Sequence, residues 1–402
     1  MQPDIKPQLS ALLSWTPRLQ PLRENGPQTG PVKRRALEQR RQALDLLCRS
    51  GAGLVSIAPS VCQLAREMVG AEAGALFWLD ERGIPLGFFH EDSPEQAKDL
   101  FLNAFEELFL GPHELNVAYL ANLVHPIPVG NLLAPPASYF RSNTFNLLVR
   151  ASGHHHTLDM CVQIAGRTRA VLMLFRQEGL PYANADARLL EQLLPYLRRA
   201  VEAPEEGADW STPAVYSGQM LVAQAPPTPA VLGTPAAQTT WQVRLVTGEV
   251  HALLHASKLV GQSQPGQAGN LPVPLFVQAA CSAMVQDGAA TAQRSLHVPG
   301  GQLCATLARM QSVCQPADQP EMQVLVTLEL RAPPRLMVVQ RVLDLPLSPL
   351  QREIALLAGS GGRRGDCESA IGVSQEALKK HLRTIYRVAG VADWDELGRV
   401  LA

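Results

Sequence analysis

The spacing of apolar positions changes period several times along the chain, and each change marks an expected element. From Val32 onward, Leu37, Leu44, Leu47 and Cys48 recur at helical spacing in a segment that also carries Lys33, Arg34, Arg35, Arg40 and Arg41. Those basic positions read as the solvated side of an entry or dimer helix, with a second nucleic-acid surface as the alternative. Another helix is predicted between Pro59 and Gly70, followed by an apolar, aromatic strand over 71–79 and a turn at Asp80–Gly83 into a strand over 85–90. Residues 94–110 and 113–123 read as helices. Strands are expected at 143–150, 157–165 and 170–176, with Ser152-Gly153 and Gly166-Arg167 supplying turns. An amphipathic helix over 184–202 would bury Leu189, Leu190, Leu193, Leu194 and Leu197.

Alanine, proline and glycine then dominate 203–239, which reads as a linker. A second compact region follows, with a strand over 241–246 turned at Thr247-Gly248 and a helix over 275–284. Its remaining strands are expected at 294–298, 302–310 and 323–331, and 331–346 reads as a connector.

The last stretch is the most informative. Ser348-Pro349-Leu350-Gln351 reads as a capping box with proline at the first helical position, opening a helix that ends at Gly359–Gly362. A short segment over 366–371 meets Gly372-Val373, and Ser374 is the N-cap of the next helix. In that helix Leu378, Leu382, Ile385 and Val388 form one stripe. Lys379, Lys380, Arg383 and Arg387 crowd the other side against Glu376 alone. Gly390 stops it, and Asp393 caps a final helix over 394–401. Helix, glycine break, short helix, tight turn and basic helix is the order of a helix-turn-helix, and such a basic face suits the DNA major groove.

Leu347-Ser348-Pro349, Arg352-Glu353-Ile354, Gly361, Gly372-Val373-Ser374, Leu378-Lys379, His381-Leu382-Arg383, Ile385-Tyr386 and Gly390-Val391 together resemble the LuxR-type helix-turn-helix. The resemblance implies an all-α four-helix module of a bacterial transcription regulator that pairs as a dimer on double-stranded DNA. It would place Lys379, Lys380 and Arg383 at bases and backbone. From the charges alone, Arg387, together with Arg363 or Arg364, is expected at phosphates, with Ser374 opening the helix. The segment Gly362–Ser369 departs from the pattern: Gly365 is costly inside a helix, by about 1 kcal/mol against alanine, and Cys367 stands where an aliphatic core residue is usual. A domain that folds without binding DNA, acting as a protein-interaction module, is therefore the alternative.

Upstream, the α+β layout resembles a GAF-type sensor, particularly in Val171–Phe175, Leu180-Pro-Tyr182, Asp186, Leu189-Leu190 and Leu193–Leu197. The second region is compatible with a PAS-like domain. The expected organisation is thus an arm over 1–31, a GAF-like domain over 32–203, a linker over 204–239, a PAS-like domain over 240–340 and the helix-turn-helix over 341–402. Phe77, Trp78, Phe89, Phe145, Met160 and Phe175 are either sheet core or the lining of a small-molecule pocket.

A net charge of −1 excludes a general polycation, so nucleic-acid binding has to be local and to rely on pairing or specific contacts. Seven scattered cysteines without Cys-x-x-Cys spacing read as reduced thiols of a cytoplasmic protein. No apolar window is long enough for a membrane span. His154-His155-His156 reads as a solvated turn, since neighbours on a strand point to opposite faces, so at most two could share an ion, and no Cys or carboxylate pattern lies nearby. Gly261-Gln-Ser263-Gln-Pro265 lacks the second glycine of a nucleophile elbow. No phosphate-cradling loop, paired-carboxylate motif or phosphoacceptor cluster is present. Neither enzymatic activity nor a cofactor is expected, and an effector, small molecule or protein, is left open.

Overall fold

The computed structural model describes residues 15–17, 19, 31–202, 216–224, 241–257, 271, 273–310 and 322–402. Most of the expected arm lies outside these residues, as do 203–215 and 225–239 of the expected linker, Thr240, the loop from Gly261 to Pro265, and Cys314. The described chain is α+β, with two antiparallel sheets in two compact units. One unit holds the described residues of 15–202 together with 333–402, and the other those of 216–332.

In the first unit α1 (Pro31–Cys48), α2 (Gly53–Ser56) and α3 (Ala58–Val69) precede the hairpin β1 (Ala73–Leu79) and β2 (Pro85–His90). The helices α4 (Glu95–Asn103), α5 (Phe105–Leu108) and α6 (Val117–Ala121) cross to a second hairpin, β3 (His156–Ile164) and β4 (Arg167–Arg176). Then follow α7 (Asn184–Glu191) and α8 (Leu194–Glu202). The strand order is β2-β1-β4-β3. The strands are apolar on both faces because both are covered: Leu76, Leu158, Met160, Leu172 and Leu174 pack with α1, α3, α7 and α8. Phe77, Cys161, Val171, Met173 and Phe175 pack on the other side with residues of α4, α5 and α6.

Several expectations change here. Residues 143–150 are no strand: Thr144–Val149 form a π-helical turn, preceded and followed by 3-10 turns at Tyr139–Arg141 and Arg150–Ser152. Polar side chains explain it. The Glu114 carboxylate accepts from the N–H groups of Asn143 at 2.8 Å and Thr144 at 2.6 Å, Ser142 Oγ accepts from Phe145 N–H, and Asn146 Nδ2 donates to Ser142 O. Those bonds offer the backbone a coiled alternative to a ladder. The helix expected over 184–202 breaks after Glu191, and Pro195 sits in the first turn of α8, where its missing N–H costs no bond. Arg40, expected on a solvated face, is 1% exposed and pairs with Glu67 at 2.7 Å.

The second unit contains β5 (Tyr216–Gln224), β6 (Trp241–Val246), α9 (Gly248–Ala256), α10 (Leu275–Gln286), β7 (Thr291–Val298), β8 (Gly301–Met310) and β9 (Gln323–Arg331). Its order is β6-β5-β9-β8-β7. Within the span read as linker, Tyr216–Gln224 is an inner strand. Gly218, Met220 and Val222 alternate inward as a strand requires, but alanine- and proline-rich chain on both sides hid the period. At Thr247-Gly248 the chain turns from β6 into α9. The two sheets share one winding: a hairpin, a helical crossover, then antiparallel strands that bring the last strand back beside the first.

The chain returns to the first unit with α11 (Pro334–Asp344), α12 (Pro349–Gly359), α13 (Cys367–Ile371), α14 (Gln375–Ala389) and α15 (Trp394–Leu401). The stretch expected as a connector is thus largely a helix, and it belongs to two cores. Leu336, Val339 and Leu343 join the core of the first sheet, while Val338 and Val342 join that of α12–α15. Polar bonds tie the same parts together. Gln42 Nε2 donates to Pro349 O at 2.7 Å, Arg49 pairs with Glu353 at 2.6 Å, and Trp15 Nε1 donates to an Asp344 carboxylate oxygen at 3.2 Å.

Candidate nucleic-acid interface

The basic helix α14 is set by its own ends. Ser374 Oγ accepts from Ala377 N–H at 3.4 Å, and Gly390 at φ 69° closes the C-terminus with its N–H on Tyr386 O. Between α13 and α14 the chain turns at Gly372, whose φ of 75° is left-handed and disfavours any residue with a Cβ. Leu378, Leu382 and Ile385 are buried among Ile354, Cys367, Leu397 and Leu401. With that stripe anchored, Lys379, Lys380, Arg383 and Arg387 are all exposed. Arg387 lies in the last turn, where a cation also complements the carbonyl end of the helix.

The irregular segment before α13 is well bonded. A 3-10 turn over Arg364–Asp366 leads into α13, with Arg363 N–H donating to Asp366 Oδ2 at 3.1 Å. Trp394 Nε1 donates to Gly362 O at 2.9 Å, so the last helix pins the segment. Cys367 fills the aliphatic core position, and burial pushes its thiol up, away from thiolate chemistry. Arg363 and Arg364 are exposed. Arg364 and Lys379 line one cleft of about 250 Å³ at the start of α14, together with Glu368 and Gln375. Fold and exposure thus bring Arg364, Ser374 and Lys379 to one end of the helix, with Lys380 and Arg383 continuing along it.

One charged residue of this region was not expected inside. Arg352 is 4% exposed; its Nη1 donates to Gln42 Oε1 at 3.3 Å, and its buried Nε has no partner. Burial holds its guanidinium below the usual arginine range. A lone arginine in an amphipathic helix gave no signal of this, because the covering surface, α1, lies far away in sequence.

On the first sheet the six aromatic and methionine positions separate. Phe77, Phe145 and Phe175 belong to the face under α4–α6, and Trp78, Phe89 and Met160 to the opposite face. A cavity of about 60 Å³ on the former face is lined by Phe77 and Phe175 with Phe88, Phe101, His90 and His154. Small-molecule sites commonly hold ~300–1,000 Å³, so these side chains act as core. The histidine run is not a solvated turn. His154 is 6% exposed, with Nε2 3.1 Å and 3.3 Å from the Asp92 oxygens, Nδ1 3.9 Å from Glu72, and its ring stacked on Phe175. Burial raises the Asp92 carboxyl most, but the His154 hydrogen bond and the charges of His154 and His90 together hold the group below the usual value. Among the described residues no group of three His, Cys, Asp or Glu side chains is placed to hold a metal ion. Nor is any described helix long and apolar enough to cross a membrane.

No family model matches the chain, and no curated protein matches it. Among solved structures it aligns with a chain of the E. coli DhaR(N)-DhaL complex at 12% identity, over 79% of this chain and 99% of the other. The TM-score of 0.15 is too low for that likeness to carry an argument.

Proposed function

We propose that this chain is a bacterial, cytoplasmic transcription regulator that binds operator DNA as a homodimer through a LuxR-type helix-turn-helix, α12–α15. The observation that carries the reading is the face of α14, where four exposed cations stand against the single carboxylate of Glu376 on a helix anchored by three buried aliphatic residues. Guanidinium and ammonium groups so held reach phosphates and guanine edges when the helix lies in a major groove. Lys379, Lys380 and Arg383 read bases and backbone; Arg387, Arg363 and Arg364 hold phosphates; Ser374 fixes the start of the helix. The two α+β regions act as GAF-like and PAS-like sensors, a reading supported by their shared winding.

The test is genome-wide binding of the tagged chain beside a Lys379/Lys380/Arg383 triple-alanine variant. Discrete peaks are expected that vanish in the variant. On one recovered operator, Lys380→Ala alone lowers affinity by about 1–3 kcal/mol if it reads a base. Peaks that survive the triple substitution would remove α14 as the reader and leave the protein-interaction alternative.

A further inference from the structure

A cavity of about 420 Å³ in the first unit lies away from both the sheet's aromatic cluster and the basic helix. Its walls come from the end of α1, the end of α8, the first two turns of α11, and Leu356 of α12. A guest would therefore touch the sheet domain and the start of the C-terminal helices together. The volume falls within the ~300–1,000 Å³ usual for small-molecule sites. The wall is two-natured. Leu46, Val339 and Leu356 supply apolar surface, and Arg49, Arg199 and Arg335 supply three guanidiniums against the carboxylate of Glu202.

Two of those arginines are held from behind. Asp45 is shared between Arg49 at 3.0 Å and Arg199 at 2.8 Å, and Arg49 also reaches Glu353 on α12 at 2.6 Å. Arg335 is exposed and pairs with no carboxylate among the described residues. Asp45 and Glu353 together serve Arg49 and Arg199, but the guanidinium of Arg335 beside them has no carboxylate, and its planar fork suits one.

We propose that this cavity binds an organic carboxylate with an apolar body, its head among Arg335, Arg199 and Arg49 and its body on Leu46, Val339 and Leu356. The bound carboxylate competes with Glu353 for Arg49, and so loosens the ion pair that joins the end of α1 to α12. The site stands apart from the DNA-binding reading, because its occupancy is measured without DNA.

Calorimetric titration of the full chain with octanoate and with naphthalene-2-carboxylate tests this, with octanamide and inorganic phosphate as partial mimics. At least one carboxylate should bind saturably, and octanamide and phosphate about tenfold more weakly, since each lacks one half of the match. Arg335→Gln should weaken the carboxylate by about tenfold at an unchanged thermal midpoint, the loss of one charge-assisted contact. Glu353→Gln should tighten it by a few-fold, because the competing carboxylate is gone; a purely structural Glu353 would not do so. No saturable binding of either carboxylate, octanamide or phosphate binding equally well, or Arg335→Gln leaving affinity unchanged overturns the site. Glu353→Gln failing to tighten binding overturns the competition.

Discussion

Two buried or half-buried charges define what single residues contribute. Arg352 has a desolvated guanidinium with one long hydrogen bond and no carboxylate. Replacing such a group with an unbranched apolar side chain of similar length removes a penalty and not a bond network. Arg352→Met is expected to leave stability unchanged or raise it by about 1 kcal/mol or more, measured by urea unfolding; a clear loss would mean that the guanidinium holds α12 on α1. Asp92 behaves in the opposite sense. Burial raises its folded-state pKa, but the His154 hydrogen bond and the charges of His154 and His90 together leave it depressed, so ionisation favours folding. That stability is fully present above the ordinary aspartate value of about 3.9 and is lost as pH falls through the depressed one. Wild type should therefore exceed Asp92→Asn in stability at neutral pH, with the gap closing on acidification; a gap independent of pH would show that the charge is idle. The sequence displayed the His154–His156 run, but its partners Asp92 and Glu72 are too distant in the chain to be foreseen.

At the scale of elements, glycines separate packing from irregularity in the C-terminal helices. Gly359 ends α12 where a Cβ would lie 2.5 Å from Val338 Cγ1 and 2.9 Å from Leu401 Cβ. Both neighbours are buried, so Gly359→Ala forces α11 and α15 off α12. The overpacking, about 1–3 kcal/mol, outweighs the helix-propensity gain of about 1 kcal/mol. Gly365, in the 3-10 turn before α13, has open space around its missing Cβ and no left-handed φ. Gly365→Ala should stabilise by about 0.4–1 kcal/mol through the unfolded chain. Thermal melts of the two variants should shift in opposite directions, and a Gly365→Ala that melts lower would mark the turn as strained. The five C-terminal helices also show how legibility varies with the kind of signal. Caps and a dense apolar stripe announced α12, α14 and α15 nearly to the residue, whereas α11 was missed because its apolar positions divide between two cores and form no single stripe.

For the whole molecule, the C-terminal helices and the first sheet form one compact unit although residues 203–332 separate them in sequence. Linear reading favours domains in chain order and so expected the C-terminal module to stand alone beyond a connector. Instead α11 lends one stripe to each core, and Arg49–Glu353 and Gln42–Pro349 add polar bonds between them. Local spacing by itself determined the α+β character, most strands of both sheets and the basic face of α14, because each depends on neighbours two to four residues away that fix which side is buried. Tertiary structure alone decided the rest. It put Tyr216–Gln224 inside the second sheet, coiled Thr144–Val149 through Glu114, Ser142 and Asn146, and buried Arg40 and Arg352. It also gathered Arg49, just past α1, with Arg199 of α8 and Arg335 of α11 around one cavity. These outcomes rest on partners distant in sequence, and a period read along one segment carries no information about what will cover it.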